Sequence, residues 1–340
     1  MYYFFNQIFI SENYSMAFFK RNTANLKTNN DTGFGANATS QGGRFINRDG
    51  SFNVQRKGLN YLERRSLYYD MLMMPTVKFV LVIFLGFSII NLLFTVIYFL
   101  LGTNEFMGMV TNDSWGRFKE VFFFSSQTFT TVGYGRINPV GDLANMIASA
   151  EALSGLLSFA IITGLIYGRF SRPKAFIRFS DYGVIAPYQG GTGFMFRFVS
   201  TKDNHILTDV EVRVNVAFTV HENGKDVFKF FELPLERKRI DSLAMSWTIV
   251  HPIDENSPLY NMTESEINDA DTEIYILIRA FDDVFSNSVL QRSSYTFKEI
   301  KYGYRFIPMY KESDDKTTTI LDLNMLSDIK EATLTAITNE

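Results

Sequence analysis

Two apolar runs of membrane length constrain this chain more than anything else in it. The first, Phe79 to Leu101, is uncharged; the second, Leu143 to Gly168, carries one ionisable residue, Glu151. Each exceeds the roughly 20 residues a helix needs to cross a hydrocarbon core of about 30 Å. Neither has the N-terminal position and short length of a cleaved leader, and the aromatic opening Met1–Phe9 lacks a basic start.

Between the runs, Phe122 to Thr130 leads into Thr131-Val132-Gly133-Tyr134-Gly135. In a soluble protein this pentapeptide would be a turn. Between two spans it acquires another meaning. A dehydrated K⁺ ion needs oxygens in place of its water shell, and rings of backbone carbonyls from four copies of such a loop supply them. Aiming successive carbonyls down one axis requires conformations that glycine tolerates best, which suits Gly133 and Gly135. Upstream, Asp113 or Ser114 can cap a short helix from near Trp115 to about Phe129. Its C-terminal end, bearing partial negative charge, would favour a cation beyond it.

Charge sets the topology. Arg64, Arg65 and Lys78 precede the first span; Arg169, Arg172, Lys174 and Arg178 follow the second. Two spans return the chain to its starting side, so both termini are expected in the cytoplasm of a cell-membrane protein. Residues from about Ser11 to Ser51 are rich in Asn, Thr, Gly and Ser and read as a mobile polar tail. From Val54 to Met74, basic residues alternate with Leu and Tyr, which predicts a helix lying in the membrane interface and ended by Pro75. Glu151 must face water or a partner, either in a pore cavity or behind the Thr131–Gly135 segment.

After Pro173 the pattern is that of strands. Val210, Val212, Val214, Val216 and Phe218 alternate with Asp209, Glu211, Arg213, Asn215 and Ala217. Further strands are predicted at 175–180, 194–199, 227–233, 245–250, 273–280, 289–295 and 318–323, an arrangement that implies an antiparallel sandwich. The stretch after about Ser327 is expected to fray or to form a short helix.

Other function classes find little support. The net charge of −3 argues against a nucleic-acid partner, and the absence of cysteine rules out disulfides and thiolate metal sites. His205, His221 and His251 lack metal-ligand spacing, and Gly191-Thr192-Gly193 is a turn without a nucleotide-binding helix after it. No enzymatic activity and no cofactor are expected; K⁺ enters as a permeant ion.

The order of motifs resembles that of the inward-rectifier potassium channels, prokaryotic type. The likeness rests on Gly43-Arg44-Phe45, Asp49-Gly50 and Asn53-Val54-Gln55, the 131–135 segment, and Arg169-Phe170-Ser171-Arg172-Pro173-Lys174. It continues through His251-Pro252-Ile253-Asp254-Glu255-Asn256-Ser257-Pro258-Leu259-Tyr260 and Arg292-Ser293-Ser294-Tyr295. The resemblance implies a membrane α plus β fold: a homotetramer with an interfacial slide helix, two spans and an immunoglobulin-like cytoplasmic sandwich. The implied divisions are a polar, mostly disordered tail (1–52), a slide-helix segment (53–75), a pore domain (76–172), a sandwich (173–326) and a C-terminal tail (327–340). Within the pore domain, helices fall at 76–101, 115–130 and 142–170, with the filter at 131–135.

By the same resemblance, K⁺ is coordinated by the carbonyls of Thr131, Val132, Gly133 and Tyr134, the Thr131 hydroxyl closing the inner site and Gly135 ending the filter. Tyr167 falls at the inner-helix constriction and Ser286, Asn287, Ser288 and Val289 at a second one. Lys78, Arg172 and Lys174, with Arg64 and Arg65 nearby, match positions that bind anionic phospholipids. Two departures stand out. Gln127 replaces a glutamate behind the filter, putting the usual salt bridge there in doubt. Phe159 stands where strong rectifiers carry an acid, so block by internal Mg²⁺ or polyamines should be weak unless Glu151, Asp282 or Asp283 compensates. A non-selective cation channel and a membrane-anchored binding module are the competing readings.

Overall fold

The computed structural model describes residues 44–58, 60, 66–203, 206–222 and 225–334. They fall into two units, one of residues 56–172 and one of residues up to 55 together with those from 173 onward.

In the helical unit, α1 (Leu67–Met73) is capped by the Ser66 hydroxyl, which accepts from the Tyr69 amide. It is shorter than the 54–74 segment expected to lie in the interface: residues 54–58 and 60 are not helical. Pro75, with no amide hydrogen, then opens α2 (Thr76–Leu101). Its 26 residues rise about 39 Å, enough for a span. A short strand β1 (Phe106–Met107) follows, then α3 (Ser114–Phe129), whose cap is Asp113 rather than Ser114: the carboxylate accepts from the Gly116 amide at 2.8 Å. After β2 (Asn138–Pro139), which pairs antiparallel with β1, comes the 29-residue α4 (Asp142–Phe170). Along α2 and α4 large apolar side chains such as Leu81, Phe84, Leu85, Ile89, Leu153, Leu157 and Ile161 point outward. A surface this apolar is stable only against lipid or another apolar partner.

The second unit is built on two five-stranded sheets. In one, β11 (Asn287–Thr296), β10 (Glu273–Asp282), β6 (Leu207–Glu222) and β7 (Lys225–Glu232) run side by side, with β8 (Arg239–Leu243) also paired to β6. In the other the order is β12 (Ile300–Tyr302), β4 (Gly183–Tyr188), β5 (Gly191–Ser200) and β3 (Ile177–Phe179), with β9 (Trp247–Ile253) paired to β5. Valines 210 to 216 and Phe218 of the first sheet share one core with Phe194, Phe196, Phe198 and Ile249 of the second, which makes the unit a sandwich. All pairs in these two sheets are antiparallel except β12–β4, which is parallel.

The N-terminal segment departs from a featureless tail through Ser51. Ile46 bridges to Phe52, and Arg44 pairs with Glu299 and donates to Ser294 Oγ at 2.9 Å. Ile46 is buried with Ala217, Phe228, Phe230 and Tyr275, so the face of β6 that alternation would give to water is covered from Ala217 on. Burying one isoleucine contributes about 2 kcal/mol, enough to hold a short turn in place. Gly50, at φ +85°, lies so near Arg292 that a Cβ would stand 2.6 Å from its carbonyl oxygen. At the other end, Ile329–Glu331 is strand β16, paired with β13 (Tyr304–Phe306), where a frayed end or helix was expected. Buried Arg197 fixes the chain before it by donating to the carbonyls of Ile307, Met325 and Leu326.

His251 on β9 is buried, with Nδ1 2.6 Å from the Pro234 carbonyl and Nε2 2.7 Å from Ser257 Oγ. The carbonyl can only accept, so Nδ1 carries the proton and Nε2 accepts from the serine. Burial holds its pKa below the ordinary 6.5. A depressed histidine leaves stability whole above the unfolded pKa and removes it as pH falls through the folded one. The full-length protein in detergent should therefore melt a few degrees lower at pH 5.5 than at pH 7.5, and His251→Gln should flatten that difference in a thermal scan.

Candidate functional site: the loop between the two long helices

The loop is fixed from behind. Glu151, in the first half of α4, is fully buried and accepts from Tyr98 Oη of α2 at 2.6 Å and from Ser125 Oγ of α3 at 2.5 Å. One carboxylate thus ties three helices together, and of water or a partner Glu151 meets the partner. Around it Tyr98, Phe106 and Phe124 pack edge to face with ring centroids 5.3–5.4 Å apart. Gly155 lies one turn further along α4. A Cβ there would stand 1.8 Å from the Phe129 carbonyl oxygen, so only glycine lets α4 pass the end of α3.

Beyond Phe129 the chain turns back on α3. The amides of Thr130 and Thr131 donate to the carbonyls of Ser126 and Thr128 at 3.1 and 3.0 Å. Those of Val132 and Gly133 both donate to the Gln127 carbonyl, at 2.9 and 3.2 Å. Gln127 therefore acts on the segment through its backbone. Thr131, Gly133 and Gly135 have positive φ (59°, 50° and 80°), while Val132 and Tyr134 do not. The left-handed threonine was not legible from sequence, since a non-glycine residue there carries strain. Among the described residues, no donor is seen for the carbonyls of Thr131, Val132, Gly133 or Tyr134, whereas Gly135 accepts from Asn138 Nδ2 at 2.8 Å.

At the far end of the segment, Arg136 Nη2 lies 3.3 Å from Glu120 Oε1 of α3. Glu120 also accepts from the Val110 amide at 3.2 Å. In the sequence these two charges stand 16 positions apart.

The other sequence-derived positions are scattered along the fold. Phe159 and Tyr167 project from α4 and are exposed. Arg172 lies over the Tyr69 ring and against the Met73 sulfur, Lys78 is exposed on the first turn of α2, and Lys174 belongs to the β unit. Arg64 and Arg65 lie outside the described residues, as does His205. Arg169, counted only as a topology charge, donates to the Met71 and Leu72 carbonyls at 2.8 and 3.2 Å and lies over the Phe79 ring, capping α1 from α4.

Two expectations need correction. Val289 is buried in the sandwich core, because β11 turns that side chain inward, so Ser286, Asn287 and Ser288 are the exposed part of that loop. Asp282 is also buried, its Oδ1 accepting from the amides of Val284 and Phe285 at 2.9 and 3.1 Å; it shapes the turn and does not line a pore. Asp283 remains exposed and accepts from Thr208 Oγ1 at 3.1 Å.

The sequence is similar to those of known proteins. A family model of the inward rectifier potassium channel C-terminal domain matches residues 177–339, and an ion channel model matches 79–172. The chain is 33% identical over 291 residues to inward rectifier potassium channel Kirbac3.1 of Paramagnetospirillum magnetotacticum, covering 84% of this chain and 95% of that one. It belongs to the inward rectifier potassium channel family. Inward rectifier potassium channel 4 of Mesocricetus auratus and of Homo sapiens are each 28% identical over 207 residues, 57% of this chain and 46% of theirs. Membership in the inward rectifier family makes the protein a membrane ion channel and not an enzyme, with two apolar helices preceding a β-sandwich.

Removing the carboxylate that joins the helices takes the acceptor from the Tyr98 hydroxyl and leaves Ser125 Oγ with only the longer contacts to Asn91. Glu151→Leu should destabilise the detergent-solubilised protein by roughly 2–4 kcal/mol, and Ser125→Ala by about 1–2 kcal/mol, in chemical unfolding followed by tryptophan fluorescence.

Proposed function

We propose that the protein is a K⁺-selective channel in which four copies surround an axis lined by Thr131–Gly135. One observation carries this reading: the amides of Thr131, Val132 and Gly133 turn back to α3 while four successive carbonyl oxygens keep no donor among the described residues. Alternating the sign of φ along the segment turns successive carbonyls toward one side, where an ordinary strand would alternate them. Such oxygens, with the Thr131 hydroxyl at the inner end, replace water around a dehydrated cation. The dipole of α3 adds partial negative charge at Phe129. Lining a water-filled path also explains how irregular backbone is tolerated at membrane depth.

The remaining roles follow the same plan. Tyr167 near the end of α4 narrows the inner mouth, and Ser286–Ser288 form a second constriction. Lys78, Arg172 and Lys174 meet anionic headgroups of the cytoplasmic leaflet, each worth about 1 kcal/mol. Both termini lie in the cytoplasm of a cell-membrane protein. With Phe159 where an acid would hold a blocking cation, and Glu151 and Asp282 both committed to structure, rectification is weak.

Purified protein in liposomes should take up Rb⁺, with Ba²⁺ blocking and Na⁺ competing poorly. Gly133→Ala, which forces a side chain into a left-handed position, should reduce Rb⁺ uptake at least about tenfold. Sodium entry as free as that of Rb⁺ would instead favour a non-selective cation pore. In planar bilayers internal spermine should block the wild type weakly, and Phe159→Asp should deepen that block roughly tenfold.

A further inference from the structure

The Gln127 carbonyl holds the near end of the Thr131–Gly135 segment, and other groups hold its far end. Arg136 follows the last filter residue directly, and its guanidinium reaches Glu120 at 3.3 Å. The glutamate side chain is nine-tenths buried while that of Arg136 is half exposed. Both Glu120 oxygens also take the Val110 amide, at 3.3 and 3.2 Å. Close by, Gly108 has φ +88° and lies so near Arg136 that a Cβ would stand 1.7 Å from its carbonyl oxygen. Met107 pairs with Asn138, whose side chain donates to the Gly135 carbonyl at 2.8 Å. The buried carboxylate is thus where α3, the 106–110 segment and the arm leaving the filter meet.

We propose that Glu120 is the positioning residue for the outer end of the filter, and that through Arg136 and Val110 it fixes Gly135 and sharpens discrimination between K⁺ and Na⁺. The proposal rests on reading Thr131–Gly135 as a K⁺ filter. A mispositioned carbonyl changes the fit to one cation more than to another. A bare change of charge at the mouth scales the entry of all monovalent cations alike. The ratio of Na⁺ to Rb⁺ uptake therefore separates positioning from electrostatics.

The test uses full-length protein in liposomes, comparing ²²Na⁺ and ⁸⁶Rb⁺ uptake in wild type, Glu120→Gln, Arg136→Gln and the double variant. The wild type must favour Rb⁺; if it does not, the filter reading fails, independently of Glu120. Each single variant should raise the Na⁺/Rb⁺ ratio about five- to tenfold, and the double variant no further than either alone, because both remove one contact. Arg136→Lys should restore much of the lost selectivity. If Glu120→Gln does not assemble, Arg136→Gln decides alone, since its exposed side chain can be lost without disturbing the core. A wild-type ratio in Arg136→Gln, or a double variant whose change is the product of the singles, overturns the proposal.

Discussion

Everything at the membrane end of this protein depends on how one short stretch of backbone divides its hydrogen bonds. In hydrocarbon an unpaired amide or carbonyl costs several kcal/mol. The chain meets that constraint asymmetrically. Amides from Thr130 to Gly133 are returned to the last turn of α3, while the oxygens of Thr131 to Tyr134 take no donor among the described residues. The buried carboxylate of Glu151 makes this possible by holding α3 against α2 and α4 at once. Its neighbours Ser125, Tyr98 and Asn91 are fully buried as well, a polar knot inside an otherwise aromatic cluster. Polar groups buried this deeply are tolerable only when satisfied, and here their partners also fix the helices' spacing.

Much of this architecture is legible in the sequence because its signals are local or periodic. Two long apolar runs give α2 and α4, and strict alternation gives β6. What escapes is whatever depends on distant partners. The turn around Ile46 reads as a polar tail until Ser294, 250 residues away from Arg44, supplies its partner. Short strands such as β8 and β16 lack the length for a visible period and exist because β6 and β13 present open edges. Alternation also misleads when both faces are covered, as at Ala217.

At the site, residue types were readable and geometry was not. Two glycines announced an unusual backbone, but nothing marked Thr131 as the third left-handed residue. Asp282 and Val289 had plausible roles near an axis until the fold turned both inward. Glu120 and Arg136 are 16 positions apart with no local signal that joins them; only the return of the chain beside α3 makes them a pair.

Gly155 has a mechanical meaning. Because α4 touches the Phe129 carbonyl there with no side chain between, this point serves as a fulcrum. Tyr167 is 12 residues on, a lever arm of about 18 Å. Sideways travel of the inner end of α4 is then felt, scaled down, two residues before Thr131. A push at one end of α4 and a shift of the Phe129 carbonyl are then two readings of one rigid rod.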